Sequence, residues 1–328
     1  VTTSDLTSSE STTDVATSVR TSPLLSRPGA VAADPPDAGV AAHYGDPLRE
    51  QRTLAGGDGL VDLSHRGVVR VTGPDRLSWL HSLTTQHLSA LSAGQATEAL
   101  VLSPHGHIEH ALYLVDDGES AWMHVEPGTA PSLVEFLDRM RFMLRVEVAD
   151  VTEHWAVVAE PLPASKRAVT DHPVTDDPAT DHPATEHPVR VLPTGRERFV
   201  PRGELEQVAD EVGELAGVWA HEALRIAAHR PRAGRETDHR TIPAELGWLD
   251  TAVHMDKGCY RGQETVARVH NLGRPPRRLV FLHLDGSVDT LPAHGDPVTV
   301  DPSAPGGRPV GFVGSAARHH ELGPIALA

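Results

Sequence analysis

The sequence predicts an α+β chain ending in a small all-β module, and three observations carry that reading. Between residues 59 and 160, apolar strands and amphipathic helices alternate as strand, helix, two or three strands, helix, strand. That is the order of a split βαβ, ferredoxin-like unit. Helical patterning returns over 205–234. From residue 277 onward the chain breaks into short strands between Gly/Pro turns, which predicts a small β-barrel.

Each element has a local reason. Residues 1–45 are rich in Ser, Thr, Ala, Pro and Asp without periodicity and read as a disordered arm. GLVDLSHRG (59–67) opens the ordered pattern, and VVRVTG (68–73) has strand composition. In PDRLSWLHSLTTQHL (74–88), Pro74 and Asp75 start a helix carrying Leu77, Leu80, Leu83 and Leu88. EALVLSP (98–104) and HIEHALYLVD (107–116) read as strands joined at His105 and Gly106, and AWMHVEP (121–127) as a third. SLVEFLDRMRFML (132–144) places Leu133, Phe136, Leu137 and Met140 on one helical face, before strands at RVEVADV (145–151) and WAVVAE (155–160). Next comes a five-residue repeat, TDHPV, TDDPA, TDHPA, TEHPV (170–189). Its prolines forbid both a continuing helix and a central strand. The repeat reads as an exposed loop rather than as a metal site built from its three histidines. The expected divisions are an arm (1–45), a first unit (46–160), the repeat loop (161–192), a second unit (193–274) and the barrel (275–328).

Composition narrows the function. A formal net charge of −16 in 328 residues argues against direct nucleic-acid or anionic-membrane binding, even with RPPRR at 274–278. No apolar run approaches the roughly 20 residues of a membrane span. The absence of a basic and apolar leader pattern at the N-terminus predicts a cytoplasmic chain. Cys259 is the one cysteine, so neither an internal disulfide nor a four-cysteine cluster can form within one chain.

That cysteine lies in DKGCYRGQET (256–265). Gly258 and Gly262 predict a turn with unusual dihedrals and a close backbone approach, and GQETVARVHNLG predicts a helix ended by Asn271 and Gly273. Lys257 and Arg261, with the helix N-terminus, would favour the thiolate. The alternative reading is a small buried hydrophobe. Trp79 and Trp219 are read as helix core ahead of ring-stacking platforms.

KGCYRGQE followed by TVAR (265–268) resembles the signature of the YgfZ family of folate-binding proteins. ALRIAAHRPRAG (223–234) and IPAELG (242–247) follow the order seen in that family, and GLVDLSHRGVVRVTGPD (59–75) resembles the opening of the wider aminomethyltransferase group, which includes GcvT, the T-protein of glycine cleavage. The resemblance spans roughly 48–328. It implies two ferredoxin-like units and a β-barrel around a central channel that takes tetrahydrofolate or a one-carbon derivative. It also implies a role in assembling or repairing iron–sulfur clusters in client enzymes, with links to tRNA modification. On that likeness Cys259 and Lys257 are the reactive pair, supported by Gly258, Tyr260, Gly262, Gln263, Glu264 and Arg268. Asp62, Ser64, His65, Arg66 and Arg225 are candidate folate contacts.

Two departures bear on chemistry. The glycine-cleavage enzymes carry an Asp pair where this chain has His110 and Ala111, and an acidic residue where it has Ala227. The two positions of that pair therefore lack a proton-handling carboxylate. The expectation is a tetrahydrofolate-binding accessory protein for iron–sulfur clusters. The alternative is a tetrahydrofolate-dependent aminomethyl, or one-carbon, transferase.

Overall fold

The computed structural model describes residues 20–162, 187–300 and 308–328. The repeat up to residue 186, with two of its three histidines, lies outside the described residues.

Residues 20–45 correct the expectation of a disordered arm. Ser22 caps a helical turn at Pro23–Ser26, and β1 (Val31–Ala32) pairs with β2 (Ala41–His43). Leu24, Val40, Ala41 and Ala42 are fully or almost fully buried. The composition is that of a loop, but these few apolar side chains find distant partners, which local patterning does not reveal. Gly217 lets β2 lie close, since a Cβ there would sit 2.1 Å from the Ala42 carbonyl oxygen. Helix α1 (Pro47–Gly56) follows, capped by Asp46 at its start and by left-handed Gly57 at its end.

β3 (Leu60–Asp62) belongs to the second of two five-stranded sheets. The first sheet is built from β4 (Gly67–Thr72), β5 (Ala96–Leu102), β6 (Ile108–Asp116), β7 (Ser120–Val125) and β8 (Glu147–Asp150), with α2 (Arg76–Leu83) and α3 (Ala130–Met140) between strands. Its order is β5-β6-β7-β4-β8, antiparallel throughout, and the element order is the one read from the sequence. Both helices are shorter than their apolar patterns suggest. α2 stops at Leu83 because Thr84 turns extended, and α3 stops at Met140, two residues before Phe142 adopts a left-handed conformation. Trp79 is core, its indole donating to the Met140 carbonyl. Trp219 is not: it is half exposed and stands beside His43.

The second sheet takes β9 (Trp155–Pro161), β10 (Val189–Leu192), β11 (Gly195–Pro201) and β12 (Leu215–Ala216), in the order β10-β11-β9-β3-β12. α4 (Leu205–Val212) and α5 (Val218–Ala227) flank it. Leu112, Leu114, Val69, Val71 and Met123 turn one face of the first sheet onto α2 and α3. Val61, Val68, Val157, Trp122 and Phe199 pack the two sheets against each other.

α6 (Gln263–Leu272) ends at left-handed Gly273, as expected. The C-terminal strands do not form the expected barrel. β13 (Phe281–His283), β16 (Ser315–His319) and β17 (Gly323–Leu327) make an open three-stranded sheet in the order β13-β17-β16, and β14 (Pro297–Val298) pairs with β15 (Gly311–Phe312). Among the described residues no ladder joins the two sheets, so the ring stays open. The sheet instead leans on α5, burying Ile226 against Ile325 and Leu327.

Candidate functional site

Where the two sheets face each other, apolar packing gives way to charge. Strand register sets two cross-strand rows opposite one another. In the first sheet Glu98 pairs with Tyr113, Tyr113 with His124 and His124 with Val68. In the second, Arg190 pairs with Glu197, Glu197 with Ala159 and Ala159 with Val61. The rows meet through Glu197, whose Oε2 is 2.8 Å from His124 Nε2 and which also pairs with Arg190. The Arg190 guanidinium lies 5.4 Å from the Tyr113 ring centre, and the His124 ring stacks on Tyr113 at 4.8 Å. Burial works against a charged Glu197, but Arg190 and His124 outweigh it and hold the carboxyl well below its ordinary range. At His124 burial outweighs the pull of Glu197 and lowers the imidazole below its ordinary range.

A second ion-pair network adjoins this pair. Arg66 donates to Glu126 at 2.8 Å, and Arg232 reaches Glu126 at 2.8 Å and Asp37 at 2.6 Å. Asp37 also takes His65, and Glu222 takes both Arg225 at 2.9 Å and Arg232 at 3.4 Å. Glu236 closes the ring by accepting from the Arg232 backbone and from Arg225. Burial pushes the Glu222 carboxyl up, yet the two arginines hold it down at about 2. His221, next to it on α5, is pulled down to about 4 by burial. His65 Nδ1, Arg66 Nε, His124 Nδ1 and Glu236 Oε1 are buried here without a hydrogen-bond partner among the described residues. Orphans of this kind are rare in native interiors, and four within one connected region mark a place for a polar guest.

The candidate folate contacts divide accordingly. His65, Arg66 and Arg225 join this network. Asp62 and Ser64 form a local turn instead: Asp62 accepts from Ser22 at 2.5 Å and from the Ser64 backbone, and the Ser64 carbonyl accepts from Arg202. Sequence reasoning missed Asp37, Tyr113, His124, Arg190, Glu197, Glu222 and Arg232. The available signal was a polar residue at an inward strand position, as with His124 in AWMHVEP.

The cysteine turn stands apart from this region, against the β5–β6 hairpin. Gly262 is left-handed, and a Cβ there would meet the Ser103 carbonyl oxygen at 2.6 Å. Gly258 has no such need: its φ is ordinary and the space around it is open. Cys259 is exposed. Its two neighbouring cations are engaged elsewhere. The Lys257 ammonium donates to the carbonyls of His81, Thr84 (2.5 Å) and Gln86 (3.0 Å), capping the end of α2 with all three of its protons. Burial lowers Lys257 to about 8. Arg261 pairs with Glu109 at 3.0 Å. Tyr260 is buried beside Ala111 and Trp248, and burial pushes it up to about 12. Gln263 and Glu264 open α6, with Glu264 and Arg268 exposed. His110 and Arg261 line a surface cleft of about 590 Å³ with His107 and His239, whereas Ala111 points inward. Lys257→Ala would leave three carbonyls unpartnered and is expected to cost roughly 2–3 kcal/mol in urea unfolding. Cys259→Ala, on the surface, should stay within about 0.5 kcal/mol of wild type.

Among the described residues no three His, Cys, Asp or Glu side chains are grouped to hold a metal, and no helix is long and apolar enough to cross a membrane.

Comparison with known proteins places this architecture. Residues 41–181 match the GCVT N-terminal domain family. The chain is 29% identical over 266 residues to a chloroplastic protein of Arabidopsis thaliana, provisionally named a transferase, and spans 59% of that protein's length. It is 29% identical to an aminomethyltransferase of Rubrobacter xylanophilus over 82% of this chain and 75% of that one. An aminomethyltransferase of Herpetosiphon aurantiacus is 27% identical over 75% of this chain and 73% of its own length. The fold is similar to that of the glycine cleavage system aminomethyltransferase T from Bartonella henselae, with a TM-score of 0.74 over 94% of this chain and 89% of that one at 19% identity. The domain match and these relatives make the chain similar to aminomethyltransferase-like proteins with a GCVT domain, and its α+β architecture is that of the glycine cleavage T-protein fold.

Proposed function

We propose that this chain binds a reduced folate at the buried polar network between its two sheets and acts as a folate-dependent transferase of a one-carbon unit, in the manner of the aminomethyltransferases it resembles. The observation that carries the reading is the set of four orphan atoms. His65 Nε2 and His124 Nε2 each face a carboxylate and so carry a proton, and in the Nε2-protonated tautomer each Nδ1 is an acceptor. With Glu236 Oε1 they offer three acceptors beside one donor, Arg66 Nε. A reduced pterin, with its ring N–H and amino donors and single carbonyl, is complementary to that set. The folate would supply the carrier atom for the one-carbon unit. Arg66, Glu126, Arg232 and Glu222 would hold its polar edge, and Tyr113 would border the ring. Titration of the purified chain with tetrahydrofolate is expected to give saturable binding that Arg66→Met weakens about tenfold or more. Release of a one-carbon unit from an aminomethyl donor to tetrahydrofolate, unchanged in Cys259→Ala, would support the transferase reading. Failure of the wild type to bind tetrahydrofolate would overturn it.

A second reading is favoured by the exposed thiol and by the KGCYRGQE likeness to YgfZ proteins: folate binding in service of iron–sulfur client enzymes. Inward Ala111, which leaves that strand position without a carboxylate, speaks in the same direction. Cys259→Ala separates the two. Under this second reading the variant binds folate normally but fails to restore cluster-enzyme activity in a deletion strain.

A further inference from the structure

The two facing rows fix the proton on one imidazole. His124 Nε2 lies 2.8 Å from a Glu197 oxygen and 3.5 Å from an Arg190 nitrogen. A carboxylate only accepts, so the shorter contact requires Nε2 to donate. The longer one, between two donors, contributes nothing. Nδ1 is then a bare lone pair. It is buried and receives no donor from the described residues, while Tyr113 covers the ring face and Arg190 is held away by the carbonyls of Leu114 and Thr97. Two strand positions from Tyr113 on the same inward face stands Ala111, which offers no polar group.

We infer that His124 Nδ1, with its tautomer set by Glu197, is the acceptor that recognises an N–H donor of the bound ligand and so selects heterocycles presenting one. It is a binding and specificity group supplied by β7, not a substitute carboxylate on β6. The inference rests on the folate reading above. Glu197 acts through His124 as a positioning residue. The partly exposed Tyr113 and Glu98 of the same row lie on the side from which a ring could enter.

The test is titration of wild type and His124→Phe with tetrahydrofolate, together with ¹⁵N NMR of the histidine side chains in the full chain. The phenyl ring keeps the stack on Tyr113 but has no acceptor, and it is expected to weaken binding about tenfold. In the free protein His124 should show an unprotonated Nδ1 and a protonated Nε2. Saturating tetrahydrofolate should shift the Nδ1 resonance in the direction of an accepted hydrogen bond. The NMR arm needs no variant and stands even if His124→Phe does not fold. Wild-type affinity in His124→Phe, a proton on Nδ1, or no ligand-induced change at Nδ1 would each overturn this inference while leaving folate binding intact. No binding by the wild type would instead overturn the folate reading and this inference with it.

Discussion

Replacing Asp37 with Ala should destabilise the chain by roughly 3–5 kcal/mol, because it strands two buried groups at once. Asp37 holds His65 and makes a two-pronged contact with Arg232, itself 2% exposed. Burial penalises the carboxylate, but hydrogen bonds from His65 and Arg232 hold it far below the ordinary carboxylate range. Removing it leaves the Arg232 guanidinium shared between Glu126 and Glu222, with the nitrogens that faced Asp37 short of acceptors. Thermal melting should fall by on the order of 10 °C. Removing the exposed pair between Arg20 of the same segment and Glu153, which lies between β8 and β9, should change almost nothing. A melting temperature for Asp37→Ala within a degree or two of wild type would mean that the segment 20–45 does not close the interior.

The second large effect is acid sensitivity. His221 has a folded value of about 4 against an ordinary 6.5, so between these values the unfolded chain holds a proton that the folded chain refuses. Stability must therefore fall as pH drops from 6.5 to 4, by roughly 3 kcal/mol from this group. His124, lowered by the same cause, acts in the same direction. Glu222 then takes over. Its folded value of about 2 lies below the ordinary 4.5, so its contribution is complete above 4.5 and is lost as pH falls toward 2, again roughly 3 kcal/mol. Urea midpoints at pH 7, 5.5, 4 and 3 should decline across the whole range. A flat profile between 6.5 and 4 would show that His221 is not buried in its neutral form.

How much of this could be read in advance follows from the range of each interaction. The first sheet and its helices were legible because LVEFL and ALYLV carry helix and strand periodicity within a few residues. The turn at Gly262 and the helix stop at Gly273 were legible because a left-handed backbone selects glycine. The role of Lys257 was not: KGC beside a cysteine suggests a priming charge, whereas the carbonyls that take it lie more than 170 positions away. The two rows were hidden for the same reason. Which residue meets His124 is set by how the sheet holding β7 packs face to face on the sheet holding β11, and no local pattern in AWMHVEP or GRERFVP records it. The barrel expectation failed on pairing, since Gly/Pro turns mark strand ends but not partners, and among the described residues no ladder joins β14 and β15 to the three-stranded sheet.

Hydrogen–deuterium exchange with and without saturating tetrahydrofolate tests the central claim most directly, because it reports where the ligand sits. Protection is expected in β6, β7, β11 and the 218–236 segment, which carry the buried ion-pair network between the sheets. Protection confined to residues 254–265 around Cys259, with those strands unchanged, would contradict it.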